Sequence, residues 1–169
     1  MSPLPDLDTV SFDARLPFSA QPLADEPLPP LSRETRLALK VLAAPTETPD
    51  DASPILTRLE AKIDLALEVS LLERHPERPP LTRCRLGLEA VAWLDARDWP
   101  AGAAALLTLY PNPDSALGVF LPARVLSSAP AQDGRFLVRA DVRGALDDDT
   151  QLQWEKWVFR RHRRAIQER

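Results

Sequence analysis

The chain has a single cysteine, Cys84, in 169 residues. It can therefore form no internal disulfide and no cysteine-built zinc site, and it fits a reducing compartment. Its two histidines, His75 and His162, stand far apart and in no ligand spacing such as HExxH, which argues against a metal centre. Five glycines are too few and too scattered for a Gly-rich phosphate loop. Ser127 and Ser128 lack a GxSxG context, and Cys84 falls in an alternating pattern where a small buried hydrophobe is the default, so nucleophilic catalysis has no support. No apolar run approaches the ~20 residues of a membrane span. Residues 1–12 are acidic and proline-rich rather than basic then apolar, so no secretory leader is expected. A cytoplasmic protein without enzymatic activity, cofactor, metal or membrane segment is the expectation.

What is plentiful is proline. Ten of the eighteen prolines fall within the first 54 residues, a density that helices and central strands tolerate poorly because proline lacks the N–H donor and has a fixed φ. Residues 1–30 therefore read as an extended segment, with one edge strand around 12–18 and with Phe12, Leu16, Phe18 and Leu23 laying a tail on a folded surface; a disordered tail is the alternative. Residues 31–76 read as helical. Leu37, Val41 and Leu42 recur at helical spacing over 32–43, ahead of Pro45. Ser53 as cap, Pro54 at the first helical position and Asp50 and Asp51 at the positive end of the dipole start a second helix, which runs to about His75.

That second helix carries Leu56, Leu59, Ile63, Ala66 and Ser70 at alternating steps of three and four, the repeat of a helix–helix seam. Leu65, Val69 and Leu72 form a neighbouring stripe. Two apolar stripes need two burial partners: the domain's own core and a second copy of the chain, or else the first helix within one molecule.

From Leu81 the period becomes two. Phe136, Val138, Ala140 and Val142 alternate with charged neighbours, and Asp133-Gly134 signals a hairpin to a strand over 117–126. Further strands are expected over 83–94 and 103–110, with proline-rich turns between, so residues 77–169 read as a small β-barrel or sandwich. A last helix follows Asp147 to Asp149, whose carboxylates suit capping and the dipole rather than paired-acid chemistry.

Net charge is −4, from 21 basic and 25 acidic residues, which disfavours a general nucleic-acid or membrane-surface binder. Positive charge is nevertheless segregated. Arg160, Arg161, Arg163 and Arg164 place four guanidinium groups within five residues, able to grip phosphate on nucleic acid or a nucleotide, or simply to suit a helix C-terminus and cover apolar surface. Arg74 and Arg78 stand four apart where helix gives way to strand, followed by Arg83 and Arg85. A hinge with paired guanidinium groups can clamp a diphosphate.

A tail, two helices, an Arg-rich joint opening a β-domain and a terminal Trp-Val-Phe-Arg-Arg-His-Arg-Arg together resemble the PilZ family of cyclic di-GMP receptors, in its atypical, tetramer-forming branch. The resemblance implies a six-stranded antiparallel barrel preceded by two helices and closed by a C-terminal helix. It also implies a homo-oligomer, and cyclic di-GMP as ligand, with a protein partner of unknown identity. By the same resemblance Arg74 and Arg78 match the family's RxxxR motif. The [D/N]xSxxG motif falls on Arg85-Leu86-Gly87-Leu88-Glu89-Ala90, where Arg85 replaces the acid, Gly87 the serine and Ala90 the glycine. A guanidinium in place of an acceptor reverses the interaction with a guanine N–H edge, so ligand binding is expected to be weak, displaced or lost. The alternative is an oligomerisation scaffold or adaptor without nucleotide binding.

Overall fold

The computed structural model describes residues 4–24, 27–44 and 51–168. Chain order is β1 (Ser11–Pro22), α1 (Arg33–Ala43), α2 (Pro54–Arg74), β2 (Leu81–Gly87), β3 (Ala90–Asp95), β4 (Ala104–Leu109), β5 (Val119–Pro130), β6 (Phe136–Asp141) and α3 (Asp148–Gln167). The six strands close into a barrel in the order β1-β2-β3-β6-β5-β4, every pair antiparallel. Closure leaves no free edge to template aggregation.

The six-stranded barrel with flanking helices is the architecture expected, but its strands come from both ends of the chain. The proline-rich first segment is not a tail with an edge strand. Residues 11–17 of β1 pair with β2, and residues 18–22 pair with β4. Pro17 sits at the handover, where a missing N–H costs little: the Tyr110 N–H donates to the Pro17 carbonyl at 3.0 Å, and the Phe18 N–H donates to Pro80 at 3.2 Å. Phe12, Leu16 and Phe18 point into the core. The barrel therefore combines residues 11–22 with residues 81–141, and both N-terminal helices lie between its first and second strands.

The single strand expected over 83–94 is a hairpin. Cys84 and Leu86 face inward on even numbers, Val91 and Trp93 on odd ones, and the parity changes across Leu88-Glu89. Leu88 N–H donates to Val10, and Val142 N–H donates to Glu89, so neighbouring backbone pins the turn at both residues. The hairpin expected at Asp133-Gly134 joins β5 to β6, with φ of 74° and 72° at the two residues, the left-handed pair that a tight right-twisted turn requires.

Polar side chains dock the helices. Ser32 caps α1, and the buried Thr35 hydroxyl accepts from the Phe120 N–H at 3.1 Å, fixing α1 on β5. Asp147 and Thr150 form a capping box at the start of α3. The Thr150 backbone N–H and then Arg36 hold the Asp147 carboxyl down to about 2. Trp154 and Trp157 pack α3 on the barrel, and the Trp154 indole donates to the Gly87 carbonyl at 3.0 Å.

Ser53 and Pro54 start α2 as expected, yet α2 has only one buried residue, Leu71. Leu56, Leu59 and Ile63 of the seam are 53%, 51% and 57% exposed. Leu65, Val69 and Leu72 of the second stripe are also exposed, so α1 does not cover either stripe within one molecule.

Trp154→Phe keeps most of the packing but leaves the Gly87 carbonyl without its donor in a buried place. It is expected to cost about 1–3 kcal/mol of unfolding free energy, measured by urea denaturation.

Candidate functional site

The two arginines of the joint are four apart, but the helix ends between them, so they do not share a helical face. Arg74 is in the last turn of α2 and lies 3.9 Å from Glu34 of α1, which also meets His75 Nε2 at 2.8 Å. The His75 ring meets the Phe120 ring at a tilt of 40°, with centroids 5.2 Å apart. Arg78 is in the connection to β2, where it donates to the Pro113 carbonyl and lies over the Tyr110 ring at 5.7 Å. Burial raises the Tyr110 phenol above its ordinary value, with Arg78 opposing.

Arg83 and Arg85 project from the outer face of β2. Arg83 lies 3.1 Å from Asp13 of β1, and Arg85 Nε lies 2.6 Å from the same carboxylate. Arg85 also donates to the Asp6 carboxylate and, at 2.9 Å, to the Pro5 carbonyl. Partial burial works against Asp13 as a charged group, but the hydrogen bonds from Arg85 and Arg83 outweigh it and keep its pKa below the ordinary carboxylate value. The same contacts raise Arg85. The segment before β1 lies across this face: Leu7 packs with Ala90 and Ala92, and Asp8 pairs with Arg139 of β6. A Cβ added to Gly87 would meet the Leu7 side chain at 2.8 Å, so the absence of a side chain there admits the strap.

The C-terminal cluster divides. Arg160 donates to the carbonyls of Leu42, Ala43 and Ala44 at 2.7–3.0 Å, capping the C-terminus of α1. Arg161 lies over Phe12 at 5.5 Å, and Arg163 is exposed. Arg160, Arg161 and Arg164 face one cleft. His162 Nδ1 donates to the Ser11 carbonyl at 2.7 Å. Among the described residues, no three His, Cys, Asp or Glu side chains converge as metal ligands. Burial pushes the Cys84 thiol up to about 12, so it remains an un-ionised core group.

The seam residues Leu56, Leu59, Ile63, Ala66 and Ser70 are all exposed, and of these Ser70 alone lines the groove toward α1. Leu67, Ser70, Leu71 and Arg74 of α2 face Leu37 and Val41 of α1 across this open groove of about 580 Å³. Glu68 tethers the middle of α2 to the 115–116 turn by accepting from Ser115 and from the Ala116 N–H.

A barrel with two helices inserted ahead of its second strand, an arginine joint and a terminal helix is the geometry on which the comparisons bear. Residues 39–169 match the family model described as "Atypical PilZ domain, cyclic di-GMP receptor". The chain belongs to the atypical PilZ family. A crystal structure of a Xanthomonas campestris protein, described as a new tetrameric PilZ domain self-assembled via an unusual helical bundle, superposes with a TM-score of 0.75 at 24% identity. The match covers 95% of this chain and 92% of that one. None of the curated proteins searched matches the chain. No helix among the described residues of this PilZ protein is long and apolar enough to cross a membrane.

Sequence reasoning missed the carboxylates that meet these arginines: Asp6, Asp8, Asp13 and Glu34. The available signal was the acidic character of residues 6–13, opposite in sign to the Arg-X-Arg of β2.

Asp13→Asn removes the charge shared by Arg83 and Arg85. It is expected to lower stability at pH 7 by about 1–3 kcal/mol, toward the lower end because the pair is partly solvated. Because the folded pKa of Asp13 is depressed, its contribution is present above the unfolded carboxylate value of about 4 and is lost as pH falls through the folded value. Urea unfolding at stepped pH should therefore show a shallower acid loss in Asp13→Asn than in the wild type.

Proposed function

We propose that the chain is an oligomeric, non-enzymatic PilZ protein of cyclic di-GMP signalling in the cytoplasm, assembled through residues 31–76, with cyclic di-GMP binding weak, displaced or lost. The observation that carries the assembly is the exposed apolar surface of α2. A helix of 21 residues with one buried side chain does not hold its place in water by propensity alone. Each Leu or Ile moved from solvent into an interface contributes about 1.5–3 kcal/mol as an upper value. The seam of Leu56, Leu59, Ile63, Ala66 and Ser70 spaces these side chains for another helix of the same kind. A tetramer is the order that the Xanthomonas neighbour supports.

The weak-ligand reading rests on the charge already engaged at Arg83 and Arg85. A nucleotide meeting this face competes with Asp13 and Asp6, and with Leu7 over Gly87, before gaining any phosphate contact. Arg74 and Arg78 remain the more accessible pair for a diphosphate. The second reading, a scaffold or adaptor for a protein partner with no nucleotide site, is favoured by the same ion pairs.

Two measurements decide. In light scattering coupled to gel filtration the wild type should be an oligomer and Leu59→Asp with Ile63→Asp a folded monomer; two monomers would end the assembly reading. Calorimetry with cyclic di-GMP should show no saturable heat in the micromolar range. Saturable micromolar heat, abolished by Arg74→Ala with Arg78→Ala, would establish a receptor with an intact site instead.

A further inference from the structure

Between α3, the C-terminal end of α1, β1 and the 111–117 turn lies a cleft of about 520 Å³, within the range of small-molecule sites. Trp157, Arg160, Arg161 and Arg164 reach it because steps of three and four place them on one face of α3. Arg15 approaches from β1. Leu16, Leu42 and Leu117 supply apolar walls. Among the described residues that line the cleft there are four arginines and no carboxylate.

Arg15 is the informative residue. It faces Arg83 directly across the β1–β2 ladder, an arrangement of like charges that is unfavourable unless each is compensated. Arg83 has Asp13 at 3.1 Å, whereas Arg15 has no polar or ionic partner among the described residues. Among the described residues, Arg161 has an aromatic face, Phe12, beneath it. Arg160 is locked by its three carbonyl bonds, so that wall is pre-formed rather than assembled on binding.

We infer that this cleft binds a small amphiphilic oxyanion, a phosphate or carboxylate head carrying a short apolar body. Arg15 and Arg161 take the head, and Leu42, Leu117 and Trp157 receive the body. Guanidinium groups bind both kinds of head through paired charge-assisted hydrogen bonds. None of Arg74, Arg78, Arg83 and Arg85 lines this cleft, although Arg78 bonds its Pro113 wall and Arg83 faces Arg15.

The test titrates the full chain with hexyl phosphate, hexanoate, hexanol and inorganic phosphate, using calorimetry and the fluorescence of the tryptophans. Saturable binding of hexyl phosphate or hexanoate is expected, the tighter of the two identifying the head, with hexanol and inorganic phosphate each at least about tenfold weaker because each lacks half of the recognition. Arg15→Glu should weaken binding at least about tenfold. Arg15→Gln, which sets no new charge opposite Arg83, should weaken binding in the same direction. Arg161→Lys should retain part of the affinity and Arg161→Glu none. The monomerising Leu59→Asp with Ile63→Asp variant should bind as the wild type does. The inference is overturned if neither amphiphile saturates, if hexanol or inorganic phosphate binds as tightly, if Arg15→Glu leaves affinity unchanged, or if binding disappears with the oligomer.

Discussion

The structure depends on one strand serving two partners. β1 gives its first half to β2 and its second half to β4, so the first strand closes a barrel whose other five strands begin about sixty residues later. Such long-range pairing is entropically late, because a large loop must be closed before its contacts repay the cost. What lies within that loop is α1 and α2. With both ends of the loop held in adjacent strands, α1 settles against β5 through Thr35, while α2 is left with Glu68 and its C-terminal turn as anchors. The exposed helix thus follows from how the barrel is closed.

The same closure brings opposite charges together on the outer wall. Asp13 arrives beside Arg83 and Arg85 because antiparallel register sets residue 13 opposite 85, and the strap before it carries Asp6 and Asp8 across to β2 and β6. These are surface pairs, and individually they contribute modestly to stability. Their larger effect is on recognition. An arginine already held by a carboxylate offers less to an incoming phosphate than its count in the sequence suggests.

Periodicity made most of the fold legible. The caps at Ser53 and Asp147, the strand over β6 and its Asp133-Gly134 turn all rest on local signals, and local signals survive folding. The two apolar stripes of α2 were legible for the same reason, but the expectation that the domain's own core covers one of them fails, because both are exposed. Two features were not. The role of residues 11–22 depends on partners 64 to 91 positions away, which no local pattern encodes, and its prolines mask a strand that in fact places Pro17 where no donor is needed. The β2–β3 turn lacks Gly, Asn or Asp at Leu88-Glu89, so only the change of inward parity marks it. At the candidate site, the residue types were visible but their partners were not: the arginines were readable as two groups of four, and their separation into ion-paired, aromatic-facing and capping roles depends on the partners that folding brings to each.

Arg160 has a mechanical meaning as well as a chemical one. Its three bonds gather the last carbonyls of α1 onto α3, joining two helices that are more than a hundred residues apart in the chain. A rivet of that kind makes the two helices one lever. Whatever tilts the terminal helix therefore tilts the C-terminal end of α1 with it.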